Sequence, residues 1–168
     1  MHNEQATEPA RTAAIIVAAG SGSRLGGHIP KQFQPLGGKP VLLWSIEAMV
    51  RCNKIANVVV VAPADLADQT RAILRDSPRV RIVAGSPSSR TESVRTGLAA
   101  LSSDAPRHVL IHDAARPGLT SHIIDELLAA LETADAAAPA LAVSDALKRT
   151  GKTLQTVDRA DLVRVQTP

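Results

Sequence analysis

The chain has 168 residues, of which 45% are apolar, and this combination is typical of one folded domain rather than of a disordered protein. Its net charge is +3, but the basic residues are scattered and the large aromatic side chains number one Trp, one Phe and no Tyr, which disfavours nucleic-acid binding. No apolar run approaches the roughly 20 residues that cross a bilayer, and one cysteine excludes an internal disulfide, so we expect a cytoplasmic protein without a membrane partner.

Short apolar runs rich in Val and Ile alternate with segments of helical spacing along the chain. We expect strands at 13–18, 57–62, 80–83 and 108–111, and helices at 41–51, 65–76, 93–101 and 121–131. This alternation predicts βαβ units and a mostly parallel sheet covered on both faces, which is a three-layer, Rossmann-like α/β domain. Residues 1–12 are expected to form a disordered polar tail, and residues 13–168 the domain.

A glycine-rich segment follows the first predicted strand, at the sheet edge where open α/β folds bind their ligands. It holds four glycines together with Arg24 and Lys31. Two common phosphate loops do not fit, because His28 stands where a Walker A loop has lysine and Leu25 where the dinucleotide fingerprint has its third glycine. Backbone amides and the two cations could still cradle a polyphosphate, although a loop with solvated surface cations would show the same spacing.

The run AAGSGSRLGGHIPKQF, at 18–33, closely resembles the N-terminal signature of the 2-C-methyl-D-erythritol 4-phosphate cytidylyltransferases, which are nucleotidyltransferases of the sugar-nucleotide type. That family has A-A-G-x-G-x-R followed by P-K-Q. The resemblance implies transfer of CMP from CTP to methylerythritol phosphate, release of pyrophosphate, and Mg²⁺ as cofactor. It also implies catalytic roles for Arg24 and Lys31, and nucleotide binding by Ala18, Ala19, Gly20, Ser21 and Gly22.

The segment RTESVRTGL, at 90–98, resembles the family's R-x-x-S-V element. The resemblance implies that Ser93 contacts the cytosine and that backbone near Gly85 helps to select it. Just before this element, GSPSSR replaces a shorter stretch of the family that often holds an acidic or amide side chain, so Ser88 or Ser89 would have to substitute. Without the resemblance, these serines would be interpreted as helix caps beside a surface arginine.

The segment HDAARP, at 112–117, follows the fourth long predicted strand. An aspartate at the carboxyl end of a strand suits Mg²⁺, which prefers oxygen ligands, or a substrate hydroxyl. The resemblance implies that Asp113 serves the metal and the substrate and that Arg116 binds the acceptor, whereas an Asp–Arg pair could also stabilise a turn. His108 and His112 lie four residues apart on a strand and not on a zinc-binding helix, which favours structural roles.

Segment 143–159 is predicted to be a solvent-exposed β-hairpin arm with the sequence TGK at its turn. In the family this arm crosses a dimer, so the resemblance implies a homodimer in which Arg159 completes the partner's substrate site; a surface hairpin without function is the alternative. Ala146 stands where the family usually has threonine. The final QTP matches the start of the family's T-P-Q-x-F, which implies that Thr167 contacts substrate, and we expect the C-terminal part of the family domain to be absent.

Three alternatives to this function stay open at this point. The acceptor could be another polyol phosphate, such as ribitol 5-phosphate. The chain could instead be a nucleotide-binding module without catalysis, since its end looks shortened and Ala146 departs from the family pattern. A dehydrogenase is a third and weaker possibility, because the dinucleotide fingerprint fails.

Overall fold

A computed structural model describes residues 12–20, 29–74 and 77–167. Its strands are β1 (Thr12–Val17), β2 (Pro35–Leu36), β3 (Lys39–Pro40), β4 (Ile55–Ala62), β5 (Val80–Ala84), β6 (His108–Asp113), β7 (Ala140–Ala142), β8 (Leu147–Arg149), β9 (Gln155–Val157) and β10 (Val163–Val165). Its helices are α1 (Val41–Arg51), α2 (Ala67–Ile73), α3 (Arg90–Ala100) and α4 (Ser121–Ala130). The predicted tail lies outside the described residues except for Thr12, which is the buried first residue of β1 and not part of a tail.

The central sheet consists of four parallel strands in the order β5-β4-β1-β6. Ile15 in β1 aligns with Val59 of β4 on one side and with Ile111 of β6 on the other. The predicted strands are confirmed, and none of their ends differs from the expected residue by more than two positions. Continuous apolar runs predict such strands well because a parallel sheet is covered on both faces.

The helices cover both faces of this sheet and make the domain three-layered, as predicted. Alternate residues of β1 point to opposite faces: Ala14 and Ile16 join a core cluster with α1, α2 and α4, whereas Ala13 and Ile15 join the cluster on the side of α3. Both isoleucines are fully buried, and each such burial contributes about 1.5–3 kcal/mol.

Helix α3 packs unusually close to β1, and a glycine makes this approach possible. A Cβ atom on Gly97 would lie 2.7 Å from Cγ2 of Ile15, which is too near for two carbon atoms. The helix begins at Arg90, three residues earlier than predicted, because the side chain of Ser89 caps it by accepting a hydrogen bond from the amide of Glu92. These contacts fix the height of the α3 N-terminus above the sheet.

The predicted arm contains the antiparallel pair β8–β9, in which Leu147 aligns with Val157. A second antiparallel pair is formed by β7, which comes before β8 in the chain, and β10, which comes after β9. Most residues of both pairs are exposed. In the part of the chain that the structure describes, no helix has the length and apolarity needed to cross a membrane.

Candidate active site

A pocket of about 580 Å³ lies at the carboxyl ends of β1 and β6. The end of β1, the turn after the glycine-rich segment, the loop before α3 and the loop after β6 surround it. Six of the residues singled out in the sequence line it together, namely Ala18, Gly20, Lys31, Ser93, Asp113 and Arg116. The sequence motifs therefore converge in space, as expected for the carboxyl edge of a parallel sheet.

The end of β1 passes from the buried sheet to the pocket within three residues. The amide of Ala18 donates to the carbonyl of Val61 at 2.8 Å, which extends the ladder one residue past the strand. Ala18 and Ala19 are buried, whereas Gly20 is exposed and lines the pocket. The predicted site residues Ser21, Gly22 and Arg24 lie outside the described residues.

Lys31 begins a 3₁₀ turn, Lys31–Phe33, that brings its side chain to the same pocket. Pro30 precedes the turn with a φ of −57°, and its carbonyl accepts from the amide of Phe33 at 2.9 Å. Phe33 is buried in the core cluster beneath α1, while Lys31 is exposed. The turn is thus anchored on its apolar side and presents its cation to the pocket.

Ser93 and Gly85 organise the loop that precedes α3. The Ser93 side chain is 1% exposed, and its hydroxyl lies 3.1 Å from the carbonyl oxygens of both Ser86 and Ser89, to which it can donate. At Gly85, a Cβ atom would lie 2.4 Å from Val61 Cγ1 and 3.0 Å from the Ser93 hydroxyl. Only glycine leaves room for that hydroxyl next to the sheet.

Ser88 and Ser89 were the two candidates in the sequence to replace the family's base-selecting side chain. Their surroundings in the structure differ. Ser89 is the N-cap of α3, so the interpretation as a helix cap is confirmed for this residue. The hydroxyl of Ser88 lies 3.2 Å from that of Ser86 at the exposed rim of the pocket. Ser88 is therefore the better placed of the two to meet a ligand.

The carboxylate of Asp113 is the most heavily bonded polar group of the pocket. It accepts from Nε of Arg90 at 3.0 Å and from the hydroxyl of Thr167 at 2.9 Å, and Nε of Arg116 lies 3.5 Å from it. Partial burial alone would raise the pKa of this carboxyl. The hydrogen bonds from Thr167 and Arg90 and the two nearby guanidinium charges outweigh the burial and hold the pKa below its ordinary value.

These contacts decide how far Asp113 fits the predicted metal role. It is the one carboxylate among the described lining residues, and both of its oxygens already accept hydrogen bonds. The described segments hold no cluster of three or more His, Cys, Asp or Glu side chains suited to a metal. This donor set does not form a magnesium site by itself, and the metal role of Asp113 stays a prediction.

His112 ties the loop after β6 to α1. Its Nε2 lies 3.1 Å from the hydroxyl of Ser45, and that hydroxyl lies 3.2 Å from the carbonyl of Ala114. The carbonyl can only accept, so the serine hydroxyl donates to it. The ring is fully buried, Nδ1 has no partner among the described residues, and burial lowers the pKa of His112 to about 4. The predicted structural role of this residue is confirmed.

The C-terminal segment contacts two residues that line the pocket, Asp113 and Arg116. Gln166 accepts a hydrogen bond from Arg116 at 2.8 Å, next to the contact between Thr167 and Asp113. Arg159 does not reach the pocket within its own chain, because its guanidinium donates to the backbone carbonyl of Ser144 in the arm. The sequence had assigned no role to Arg90, although its place three residues before Ser93 in the R-x-x-S-V element was a usable signal.

Comparison with known proteins agrees with the resemblance found in the sequence. The family model "IspD: 2-C-methyl-D-erythritol 4-phosphate cytidylyltransferase" matches residues 12–168. A 2-C-methyl-D-erythritol 4-phosphate cytidylyltransferase of Cereibacter sphaeroides is 46% identical over 160 residues, which cover 94% of this chain and 71% of that protein. A bifunctional enzyme IspD/IspF of Granulibacter bethesdensis is also 46% identical, over 94% of this chain but 41% of its own length.

Solved structures match as well. A 4-diphosphocytidyl-2C-methyl-D-erythritol synthase from Anaerococcus prevotii superposes with a TM-score of 0.80 at 28% identity, covering 96% of this chain and 70% of that one. The bifunctional IspDF from Campylobacter jejuni has the same fold, with a TM-score of 0.77 at 24% identity over 94% of this chain and 40% of that one. The chain thus spans less than half the length of its bifunctional relatives and about 70% of the others.

Because the ring of His112 is buried in its neutral form, we expect the free energy of unfolding of the chain to decrease in acid. The pKa of His112 is about 4 in the folded chain and 6.5 when unfolded, so the unfolded state binds more protons between these values and gains population as pH drops from 6.5 to 4. The loss should reach about 3 kcal/mol. Urea unfolding from pH 7.5 to 4 measures it. His112→Gln should flatten the slope and His122→Gln, at an exposed histidine, should not; equal slopes in all three proteins would contradict the assignment.

Proposed function

The chain belongs to the 2-C-methyl-D-erythritol 4-phosphate cytidylyltransferase family, and on that premise we propose that it transfers CMP from CTP to 2-C-methyl-D-erythritol 4-phosphate and releases pyrophosphate. The observation that carries this proposal is the charge of the pocket. Lys31, Arg90 and Arg116 line it, and Asp113 is the one carboxylate among the lining residues that the structure describes. Such an excess of cations suits two anionic phosphate compounds that must meet.

The reaction requires no covalent enzyme intermediate. An oxygen of the acceptor phosphate attacks the α-phosphorus of CTP in line, a new P–O bond forms, and the bond to the bridging oxygen of the β-phosphate breaks, so that pyrophosphate leaves with the electron pair. The protein contributes by holding the two anions in this alignment and by offsetting the charge that builds up between them. A divalent cation such as Mg²⁺, bound through the triphosphate, would offset further charge.

The nucleotide occupies the side of the pocket formed by the end of β1 and the loop before α3. Loop amides after Ala18, whose own amide is bonded to Val61, hold the triphosphate together with Arg24 and Lys31. Ser93 donates its own proton to a backbone carbonyl, so its oxygen is left to accept from the amino group of cytosine. Uracil has a carbonyl oxygen in place of that amino group, and a carbonyl oxygen cannot donate a hydrogen bond to the serine oxygen.

The acceptor occupies the opposite side, near Asp113, Arg116 and Thr167. In this proposal Arg159 from a second copy of the chain completes the acceptor site, which makes the active form a homodimer joined through the arm. The exposure of β8 and β9 supports that arrangement, as does the contact of Arg159 with Ser144 in the arm rather than with the pocket of its own chain. The proposed reaction is one of soluble metabolites, in line with a cytoplasmic location.

The identity of the acceptor is tested by supplying the chain with CTP, Mg²⁺ and either methylerythritol 4-phosphate or ribitol 5-phosphate, and by measuring pyrophosphate. We expect faster release with methylerythritol 4-phosphate. A preference for ribitol 5-phosphate would replace the proposed acceptor. Failure of both this chain and a version extended to the length of its relatives to release pyrophosphate would favour a binding module.

Lys31→Ala should lower kcat at least about 10²-fold, because a preordered cation at the reacting phosphate is lost. The free energy of unfolding should change by no more than about 0.5 kcal/mol, since the side chain is exposed. Steady-state kinetics and urea unfolding measure the two quantities. Lys54→Ala is the control, because this lysine pairs with Asp125 on α4 and lines no part of the pocket. A loss of tenfold or less would remove Lys31 from the chemistry.

Arg159→Ala should raise the KM for the acceptor at least about tenfold while the KM for CTP stays within twofold, because the proposed contact is with the acceptor alone. Arg149→Ala is the matched control, since this arginine is also exposed on the arm. The two Michaelis constants, measured at saturating concentrations of the other substrate, decide the question. Parallel loss of affinity for both substrates would contradict an acceptor-side role.

A further inference from the structure

The side chain of Gln32 joins the end of β1 to the turn that carries Lys31. Its amide nitrogen lies 2.5 Å from the carbonyl oxygen of Ala18 and 3.0 Å from that of Gly20. The residue is 5% exposed, and both protons of the amide are used on backbone carbonyls. These carbonyls belong to the place where the chain leaves the sheet for the glycine-rich segment.

Few side chains could make this connection. Two protons on one atom are needed to reach two carbonyls, and among neutral side chains only the amides of Asn and Gln provide them. The preceding Pro30 sets the entry into the turn and Phe33 anchors it in the core, but neither touches the end of β1 through a polar contact. Gln32 is therefore the polar link between two segments that both face the pocket.

We propose that Gln32 is a positioning residue, which holds the amides at the start of the glycine-rich segment and the ammonium group of Lys31 in one fixed arrangement around the same phosphates. This inference rests on the proposed function. Gln32 need not touch the reacting atoms, because it acts through the backbone of Ala18 and Gly20 and through its neighbour Lys31. A displacement of about 1 Å in such a site can cost about 10²-fold in rate.

The test compares Gln32→Glu with the matched variant Gln34→Glu. Gln34 lies two residues away and donates to one carbonyl, that of Ile29, at 3.3 Å near the surface. At pH 8 a carboxylate at position 32 would face two carbonyl oxygens without a proton to donate, so kcat should fall at least about tenfold, with the acceptor KM within twofold. Gln34→Glu should keep kcat within twofold.

Lowering the pH should then restore part of the lost rate. Burial and the two carbonyl oxygens raise the pKa of the introduced carboxyl, and once protonated it donates one hydrogen bond again. The ratio of the variant's kcat to that of the wild type should rise at least about threefold between pH 8 and pH 5.5; taking the ratio removes the titration of the substrates and of the native pocket groups. A ratio independent of pH would overturn the proposal.

A second variant and a second readout keep the proposal testable if Gln32→Glu does not fold or if no pyrophosphate is released. Gln32→Met has similar length, no charge and no donor. Hydrogen exchange of the amides of residues 18–20 should become at least about tenfold faster in Gln32→Met than in Gln34→Met, and CTP should bind at least about fivefold more weakly. Unchanged exchange and CTP affinity would overturn the positioning role, whereas an inactive wild type would overturn the proposed reaction alone.

Discussion

The carboxylate of Asp113 accepts hydrogen bonds from residues that lie far apart in the sequence, Arg90 at the start of α3 and Thr167 at the C-terminal end. Arg116, from the loop after β6, forms an ion pair with the same carboxylate. The loop before α3, the loop after β6 and the C-terminal segment thus meet at one negative charge. Without it, the two guanidinium groups would repel each other across the mouth of the pocket.

The loop after β6 is also held on its core side, by hydrogen bonds that involve no charged group. His112, one residue before Asp113, is buried and joined through Ser45 to the carbonyl of Ala114. His112 and Asp113 are successive residues of β6. Because neighbouring residues of a strand point to opposite sides, the histidine faces the core and the aspartate faces the pocket. The contacts of His112 with the core hold the backbone at the end of β6 in place, and this backbone sets the position of the Asp113 carboxylate.

Polar links between neighbouring segments recur around the pocket. Ser93 joins the start of α3 to the loop before it, and Gln32 joins the turn of Lys31 to the end of β1. In both cases a nearly buried side chain bonds to backbone carbonyls, which leaves the exposed groups of the same segments to the ligand. A pocket built in this way is ordered before the ligand arrives, which lowers the cost of binding and of reaching the transition state.

Periodicity and short motifs are local properties of a chain, so the fold class, the parallel strands, the family resemblance and six of the residues that line the pocket could be predicted from the sequence. The sequence did not reveal that Arg90 pairs with Asp113, that Gln32 bonds to the end of β1, or that Ser89 rather than Ser93 caps α3. Those contacts join residues whose distance depends on strand order, on the close approach of α3 at Gly97 and on which donor is left after the backbone is satisfied. Tertiary packing sets these distances, and no local pattern of the sequence contains them.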